Sequence, residues 1–425
     1  MDLSAIYKIF KDSAGICSDT RTIKQDCLFF ALKGDNFNGN YFTEEAFEKG
    51  AKYAVVDQKE AVINEQCVLV ENSLKTLQQL ANYHRRRFTI PMIAITGSNG
   101  KTTTKEIMVA ILQKKYHVHY TAANLNNHIG VPLTLLNLNE SHEISVVEMG
   151  ANHQGEIGQL CQIAEPDYGL ITNVGMAHIE GFGSFEGVVK AKSELYDYLQ
   201  KENRPVFVNE QDRILMAKSN AVSRITYGKI KDKLLVQKEF PTLVIQWNNI
   251  PVKTNLTGAY NLDNINAAIA VGNYFRVRKK DMIEAIEQYN PDNSRSQLIQ
   301  TKNNTIILDA YNANPTSVRA ALENLHKYDS GRSEKIVALG DMLEMGTESV
   351  KFHEQVVELL KQYHFDQVIL VGNTFASLDE AQAFNVFKDS AQAVEFFQSS
   401  PPDNALILLK GSRGIRMERL LKAIP

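Results

Sequence analysis

The sequence predicts an α/β protein of three domains, and three observations lead to this prediction. The chain has 425 residues, 44% hydrophobic and 22% charged, which fits soluble domains of about 150 residues each. From residue 88 onward, apolar runs of strand length alternate with turn clusters and helical patterns, as in parallel sheets covered by helices. One run, 93–96, leads through a turn bracketed by Gly97 and Gly100 into a helical pattern.

Residues 1–86 form the first predicted domain, a small α/β module. Strands are expected at 27–32 and 53–56 and a helix at 41–49, with a loop over 33–40. A basic run at 84–87 marks the end of this domain. We interpret the run as a solvated helix end, because cations are favoured near a helix C-terminus.

Residues 87–291 form the second predicted domain, built on a parallel sheet. Ligands of such sheets bind at the carboxyl ends of the strands. Polar residues follow three predicted strands: the glycine turn after 93–96, Glu148 after 144–147, and His178 shortly after 168–172. We expect them to converge on one rim. The β-rich stretches 205–208 and 242–247 are expected to add strands at one edge of this sheet.

Residues 292–425 form the third predicted domain, a doubly wound, Rossmann-like sheet. Strands are expected at 305–308, 335–339, 367–371 and 405–409. The stretch 290–294 is predicted to be a linker. Asn314 precedes Pro315 and is therefore predicted to be the N-cap of a helix.

Charge and composition exclude several classes of protein. The net charge of -3 argues against a broad electrostatic surface for nucleic acid or membrane. The sequence has no signal-peptide pattern at its start and no apolar window that could span a bilayer. The four cysteines have no C-x-x-C pairing, so no zinc site or disulfide framework is indicated. We expect a cytoplasmic monomer.

The glycine turn has the pattern of a phosphate-binding loop. Its glycines allow backbone N–H groups to face inward, and the following helix adds its positive dipole end. Lys101 would face the β- and γ-phosphates, and the Thr102 hydroxyl would ligate Mg²⁺. The general pattern has glycine where this chain has Ile95, so the loop is a variant. The alternative is an ordinary strand-to-helix turn, but the buried-looking strand before the turn favours nucleotide binding.

Four further residues are candidates, each with a structural alternative. Glu148 could hold Mg²⁺ or be a solvated strand end, and His178 could face the site or be an ordinary core or surface histidine. Asn261 and Asn264 lie three residues apart, so they could share a helix face and bind a base or ribose. Their alternative role is helix capping.

The C-terminal part adds two polar clusters. Asp309 and Asn312 follow a predicted strand and remain available for binding if Asn314 caps the next helix. Lys410 and Ser412 follow the last predicted strand, where they could bind a carboxylate or form a turn.

Several motifs together resemble one family, the Mur ligases, which build the peptide of bacterial cell-wall precursors by ATP-dependent amide formation. The resemblance covers the whole chain, and it makes Ile95 a family trait. It implies an N-terminal domain for a UDP-sugar, a central ATPase domain and a C-terminal Rossmann-like domain. The motifs lie at 96–103, 124–132, 148–151, 309–315, 339–344 and 410–413.

The resemblance also implies site residues, with ATP and two Mg²⁺ ions as cofactors. Lys192, which its spacing alone explains as a helix-face lysine paired with glutamate, becomes a carbamylated metal ligand. The implied catalytic residues are Lys101, Glu148, His178 and Lys192, and the implied metal ligands are Thr102, Glu148, His178 and Lys192. The ATP site comprises Gly97, Ser98, Asn99, Gly100, Lys101, Thr102, Thr103, Asn261, Asn264, Arg295, Asp309 and Asn312. The substrate site comprises Ser18, Thr20, Arg21, Lys33, Asn126, Asn127, Lys410 and Ser412.

The motifs are similar to one branch of the family in particular. That branch joins D-alanyl-D-alanine to UDP-N-acetylmuramoyl-tripeptide through an acyl phosphate, so these two molecules are the expected substrates. One alternative is a related ligase that adds a single amino acid, including the folylpolyglutamate synthases. Another is a P-loop switch or transport ATPase, and a third is a nucleotide-binding scaffold without activity.

Overall fold

The computed structural model describes residues 2–34, 36–228, 234–291, 295–328 and 331–425. Asp35 of the predicted loop and residues 292–294 of the predicted linker lie outside these ranges, as does the start of the predicted third domain. The described residues form N-terminal, central and C-terminal α/β regions, each with its own sheet. The predicted fold class is confirmed.

The N-terminal region is built on a parallel sheet in the order β1-β2-β5-β6. Strand β2 is buried along its whole length, as expected for a strand covered on both faces. Part of the stretch predicted as a loop forms the hairpin β3-β4. The elements are α1 (Leu3–Lys11), β1 (Ile16–Cys17), β2 (Leu28–Phe30), β3 (Lys33–Gly34), β4 (Phe37–Asn38), α2 (Thr43–Glu48), β5 (Tyr53–Val56), β6 (Cys67–Leu69) and α3 (Ser73–Arg85).

The end of α3 forms the junction with the central region. Arg85 is 6% exposed and donates to the carbonyl of Ala164 (3.0 Å) and the carboxylate of Asp167 (3.1 Å). His84 is also buried, with Nε2 2.9 Å from the Leu138 carbonyl. The prediction of a solvated helix end is therefore wrong for these two residues, because the central region supplies partners for both side chains.

The central region is built on a parallel sheet in the order β12-β11-β10-β7-β9-β8. Alternate residues of β7 pack on opposite faces: Ile93 and Ile95 in the cluster with α4, α10 and α11, and Met92 and Ala94 in the cluster with α5, α6 and α8. The elements are β7 (Met92–Thr96), α4 (Lys101–Leu112), β8 (Val118–Tyr120), α5 (Gly130–Leu135), β9 (Ile144–Glu148), α6 (Glu156–Ala164), β10 (Tyr168–Ile171), α7 (Ile179–Phe182), α8 (Phe185–Lys201), β11 (Val206–Asn209), α9 (Arg213–Lys218), β12 (Arg224–Tyr227), β13 (Leu234–Lys238), β14 (Val244–Trp247), β15 (Ile250–Lys253), α10 (Asn261–Tyr274) and α11 (Lys279–Gln288).

The stretch 242–247 does not extend this sheet, so that prediction is wrong. It contains β14, which lies in a separate antiparallel sheet, β13-β14-β15. In β14 only the alternate residues Ile245 and Trp247 are buried, a pattern typical of a sheet with one solvated face. Residues 206–208 of the other stretch do belong to β11, the second strand from one edge of the central sheet.

The C-terminal region is built on a sheet in the order β16-β17-β21-β18-β19-β20, parallel except for β16. The carboxyl ends of β17 and β21 therefore lie side by side and face the central region. Within the described ranges every helix is too short or too polar to cross a membrane. The elements are β16 (Gln297–Gln300), β17 (Thr305–Asp309), α12 (Pro315–Lys327), β18 (Glu334–Gly340), α13 (Ser349–Tyr363), β19 (Gln367–Val371), α14 (Asn373–Ala376), β20 (Asn385–Phe387), α15 (Ser390–Ser399) and β21 (Ala405–Lys410).

Candidate active site

The glycine turn connects β7 to α4 at the carboxyl edge of the central sheet. Gly97 and Gly100 have φ angles of 146° and 77°, which residues other than glycine rarely adopt. A Cβ atom on Gly97 would overlap Thr172, and one on Gly100 would overlap Asn264. Both glycines are thus required by backbone conformation and by close packing, and the turn leaves the N-terminus of α4 open to an anion.

Lys101 is the first residue of α4, and its side chain lines a cavity beside the turn. Its Nζ donates to the carbonyls of Gly97 (2.7 Å) and Ser98 (3.3 Å). Loss of hydration lowers the pKa of Lys101 to about 8, and the nearby carboxylate of Glu148 opposes that shift. A phosphate in the loop would give this partly desolvated cation a stronger partner than the two carbonyls.

Glu148 is the last residue of β9 and is 1% exposed, so it is not a solvated strand end. Its Oε1 accepts from Asn126 Nδ2 (2.7 Å) and Thr102 Oγ1 (3.2 Å). Its Oε2 accepts no hydrogen bond from any residue that the structure describes, and it lies 3.8 Å from Lys105 Nζ. A buried carboxylate oxygen with unused acceptor capacity, next to a hydroxyl, is the kind of oxygen donor set that suits Mg²⁺.

Lys192 lies on α8 and is 1% exposed. Its Nζ is 3.4 Å from the Ala151 carbonyl and 5.0 Å from the centre of the Phe182 ring. Burial, with the charge of Lys101 adding to its effect, lowers the pKa of Lys192 to about 7. The neighbouring Glu194 caps the start of α6 instead of pairing with this lysine on a helix face. The explanation by spacing alone is therefore wrong.

His178 immediately precedes α7 and has a left-handed backbone, with a φ of 53°. Its Nδ1 contacts the carboxylate of Glu344 in the C-terminal region. The backbone of Glu344 also accepts from the Glu180 N–H at 3.3 Å. Among the described residues, no three His, Cys, Asp or Glu side chains gather into a metal site. A metal held in this site by protein atoms would therefore need other kinds of ligand as well, such as the Thr102 hydroxyl beside Glu148.

Asn261 and Asn264 share a face at the start of α10. Asn264 Nδ2 donates to Asn261 Oδ1 (2.8 Å), and its own Oδ1 accepts from Thr104 of α4 (3.1 Å). The residue at the N-cap position is Tyr260, which makes no capping bond with its side chain. The capping alternative is thus wrong: this pair connects the start of α10 to α4, the helix that follows the phosphate loop.

The C-terminal wall of the site contains two basic side chains, Lys410 and Arg295. Lys410 is 1% exposed, and its Nζ contacts Asp309 Oδ2 (2.5 Å) and the Asn312 carbonyl (3.2 Å). The Arg295 guanidinium stacks on the Tyr311 ring, 3.9 Å from its centre. The charge of Lys410 is already balanced by Asp309, whereas Arg295 presents a cation to the cavity.

A cavity of about 530 Å³ lies between the central and C-terminal regions. Most of the predicted ATP-site and catalytic residues line it, whereas Gly97, Thr102 and Lys192 are not in its lining. A second cavity, of about 650 Å³, is lined in part by residues of β13, and its lining holds none of the predicted residues. The predicted residues that line the first cavity are Ser98, Asn99, Gly100, Lys101, Thr103, Asn126, Asn127, Glu148, His178, Asn261, Asn264, Arg295, Asp309, Asn312 and Lys410.

Five predicted substrate residues do not line this cavity. Ser412 is buried, and its hydroxyl accepts from the Leu343 N–H at 2.9 Å. In the N-terminal region, Arg21 pairs with Asp19, and Lys33 lies 3.0 Å from Asp57. The remaining two are Ser18 and Thr20, which are partly exposed beside β1.

Three residues that contact the site have no site role in the sequence-based prediction. Asn314, correctly predicted as the N-cap of α12, also donates to Asn99 Oδ1 at 2.7 Å. Glu344 lies in the motif at 339–344, which contributes to the family resemblance but has no predicted role in the site. Lys105 belongs to the helix that follows the phosphate loop, yet nothing in its spacing indicates that it lies beside Glu148.

Fold and site together define an α/β enzyme whose phosphate loop faces a second α/β region across a polar cavity. Three family descriptions match the chain: "Mur ligase family, catalytic domain" at residues 13–90, "Mur ligase middle domain" at 95–272, and "Mur ligase, glutamate ligase domain" at 294–413.

Relatives and solved structures agree with these matches. The UDP-N-acetylmuramoyl-tripeptide–D-alanyl-D-alanine ligase of Bacillus subtilis (strain 168) is 34% identical, over 96% of this chain and 92% of its own. MurF from Acinetobacter baumannii has a TM-score of 0.86 at 29% identity, over 98% and 97% of the two chains. MurF ligase from Thermotoga maritima, in complex with ADP, has a TM-score of 0.81 at 28% identity, over 96% of each.

The chain belongs to the Mur ligase family, in the branch of these D-alanyl-D-alanine ligases. The resemblance inferred from its motifs is therefore confirmed. The prediction of an ATP-dependent ligase is confirmed with it.

Proposed function

We propose that this enzyme joins D-alanyl-D-alanine to UDP-N-acetylmuramoyl-tripeptide with the conversion of ATP to ADP and phosphate, as a cytoplasmic step in making peptidoglycan precursors. The observation that supports this most directly is the cavity between two regions. One wall holds the phosphate loop and Lys101, and the other presents Arg295 and Asp309. Such a site can hold a nucleotide and an acceptor together.

The chemistry follows from the poor reactivity of a carboxylate. An oxygen of the terminal carboxylate attacks the γ-phosphorus of ATP, the bond to ADP breaks, and an acyl phosphate forms. The amine of D-alanyl-D-alanine then attacks the acyl carbon, loses a proton, and expels phosphate. Both steps depend mainly on positioning and charge neutralisation. Lys101 and Arg295 would offset negative charge on the transferred phosphoryl group.

Two Mg²⁺ ions would add further charge neutralisation on the phosphate oxygens. We assign Thr102 and Glu148 to one ion, because Oε2 of that buried carboxylate accepts no hydrogen bond within the described part of the chain. We assign His178 and a carbamylated Lys192 to the other. A neutral amine that adds CO₂ and releases a proton becomes an anionic carbamate, and the buried surroundings of Lys192 favour the neutral amine.

The remaining predicted residues are assigned to the ligands by position. The phosphate loop, residues 97–103, would hold the phosphates, and Asn261, Asn264, Asp309 and Asn312 would lie toward the ribose and adenine. Ser18, Thr20, Arg21 and Lys33 would bind the UDP portion. Asn126 and Asn127 would contact the peptide or the dipeptide. Because Lys410 and Ser412 already have protein partners, their contribution would be to shape the site.

The test is ADP formation measured across a panel of UDP-muramoyl peptides and of amino acids or dipeptides. We expect ADP only when a UDP-tripeptide and D-alanyl-D-alanine are both present. A P-loop switch would release phosphate with neither, and a ligase for single amino acids would prefer an amino acid over the dipeptide. Either outcome would overturn the proposal. Tripeptides ending in lysine or diaminopimelate would identify the third residue.

A further inference from the structure

Asn314 connects the C-terminal region to the phosphate loop. Its side-chain N–H donates to Asn99 Oδ1 at 2.7 Å. Asn314 is 2% exposed and precedes α12, whereas Asn99 lies in the glycine turn of the central region. The two residues are 215 positions apart. The bond can therefore form only when the C-terminal region lies against the central one.

The oxygen end of the Asn314 side-chain amide is held by the cap of α12. Its Oδ1 accepts from the backbone N–H of Ser317 at 2.9 Å, and the Ser317 hydroxyl accepts from the backbone N–H of Asn314 at 3.1 Å. This reciprocal pair is a capping box. With the oxygen end held by the cap, the donor end is directed at Asn99.

Asn99 is held by the central region through its backbone. Its N–H donates to Asn173 Oδ1 (3.0 Å), and its carbonyl accepts from Thr172 Oγ1 (2.6 Å). Its side chain reaches across to Asn314. Asn99 lines the cavity, while Asn314 is not among the lining residues. Asn314 therefore contacts the loop and not the space that a nucleotide would occupy.

We propose that Asn314 is a positioning residue that fixes the phosphate loop when the C-terminal region docks. It acts through Asn99 and does not itself touch ATP. The inference rests on the proposed function, because it concerns the geometry of the loop during phosphoryl transfer. A small misplacement of groups that contact the reacting phosphate lowers the rate more than it weakens ground-state binding.

The main variant is Asn314→Ser. Serine keeps the helix cap but lacks the amide donor and the length to reach Asn99. The matched control is Asn72→Ser: Asn72 caps α3 by accepting from the Lys75 N–H at 2.8 Å, and it is exposed. Asn314→Thr provides a second test, because threonine also caps a helix and also lacks the amide donor.

We expect Asn314→Ser to lower kcat about three- to tenfold, the range that one neutral hydrogen bond accounts for. The KM for ATP should change by less than about twofold, as for an interaction made mainly in the transition state. Asn72→Ser should match the parent. In an Asn99→Ala background, Asn314→Ser should have no further effect, since the partner is already gone.

Two results would overturn the inference: a kcat for Asn314→Ser within about twofold of the parent, or a full additional loss in the Asn99→Ala background. If Asn314→Ser melts early, Asn314→Thr is judged by the same two criteria. A parent enzyme that forms no ADP with both substrates refutes the proposed function, and this inference with it. An active parent with an unaffected variant refutes this inference alone.

Discussion

Lys192 lies behind the candidate site with its amine in a largely apolar setting, close to the Phe182 ring and the Ala151 carbonyl. An ammonium ion at this position would have lost its water without gaining a carboxylate in hydrogen-bond contact, which is costly. Conversion to a carbamate would remove that cation. It would also place an anionic oxygen ligand near the phosphate loop.

We expect Lys192→Ala to lose most of its ligase activity, because the carbamate oxygens are missing. Short carboxylic acids added to the assay should restore part of the activity by occupying the space left by the side chain. ADP formation with and without added acetate or propionate measures both effects. Lys190→Ala, at an exposed position on the same helix, is the control and should keep full activity. Full activity in Lys192→Ala would refute the carbamate.

Spacing alone was enough to locate some of these residues but not others. The turn at 97–100 and Lys101 follow from local pattern, because glycine conformation and a helix start are properties of adjacent residues. Glu148 and His178 follow from their places after strands. The Asn314–Asn99 bond and the contact of Glu344 with His178 join residues far apart in the chain. No local pattern encodes which side chains meet when two regions pack.

Among the elements, β8 contacts β9 and α5 through the side chain of one buried histidine. His119 Nδ1 lies 2.8 Å from Ser145 Oγ on β9, and Nε2 lies 2.9 Å from the Thr134 carbonyl on α5. Burial lowers the pKa of His119 from 6.5 to about 4. The folded protein therefore keeps this ring neutral at pH values where the unfolded chain would bind a proton.

The sign of the resulting pH dependence follows from linkage. Between pH 6.5 and about 4 the unfolded state holds more protons on this residue, so the free energy of unfolding falls as the pH falls. The full contribution is on the order of 3 kcal/mol, since each unit of pKa difference is worth about 1.36 kcal/mol.

Urea unfolding of His119→Gln from pH 7 to 4 should show a weaker fall in the free energy of unfolding than the parent. His117→Gln, at an exposed position on the same segment, should behave as the parent does. A parent and a His119→Gln variant with the same slope would contradict the assignment.

The elements also show where pattern misleads. The stretch 242–247 has the composition of a strand, and it is one, but composition does not state which sheet a strand joins. The strands of the two sheets differ in burial. In the central sheet β7 and β9 are buried at every residue, whereas in the antiparallel sheet β14 is buried only at alternate residues. At the end of α3, the basic residues predict a solvated helix end, but Arg85 is buried against hydrogen-bond partners on the central region.

For the whole molecule, the site depends on two regions that meet. The central region supplies the phosphate loop, Lys101 and Glu148, and the C-terminal region supplies Asp309 and the partner of His178. Neither region alone forms the cavity. This arrangement suits a reaction in which a reactive acyl phosphate must be kept from water until the amine attacks.

The central claim is that the peptide carboxylate is phosphorylated before the amide forms. The most direct measurement uses UDP-muramoyl-tripeptide with both oxygens of its terminal carboxylate replaced by ¹⁸O, with ATP and D-alanyl-D-alanine. The phosphate released is then analysed by mass spectrometry. Because the attacking oxygen stays bonded to phosphorus, we predict one ¹⁸O atom in each phosphate. Unlabelled phosphate, released together with the amide product, would contradict the acyl-phosphate route.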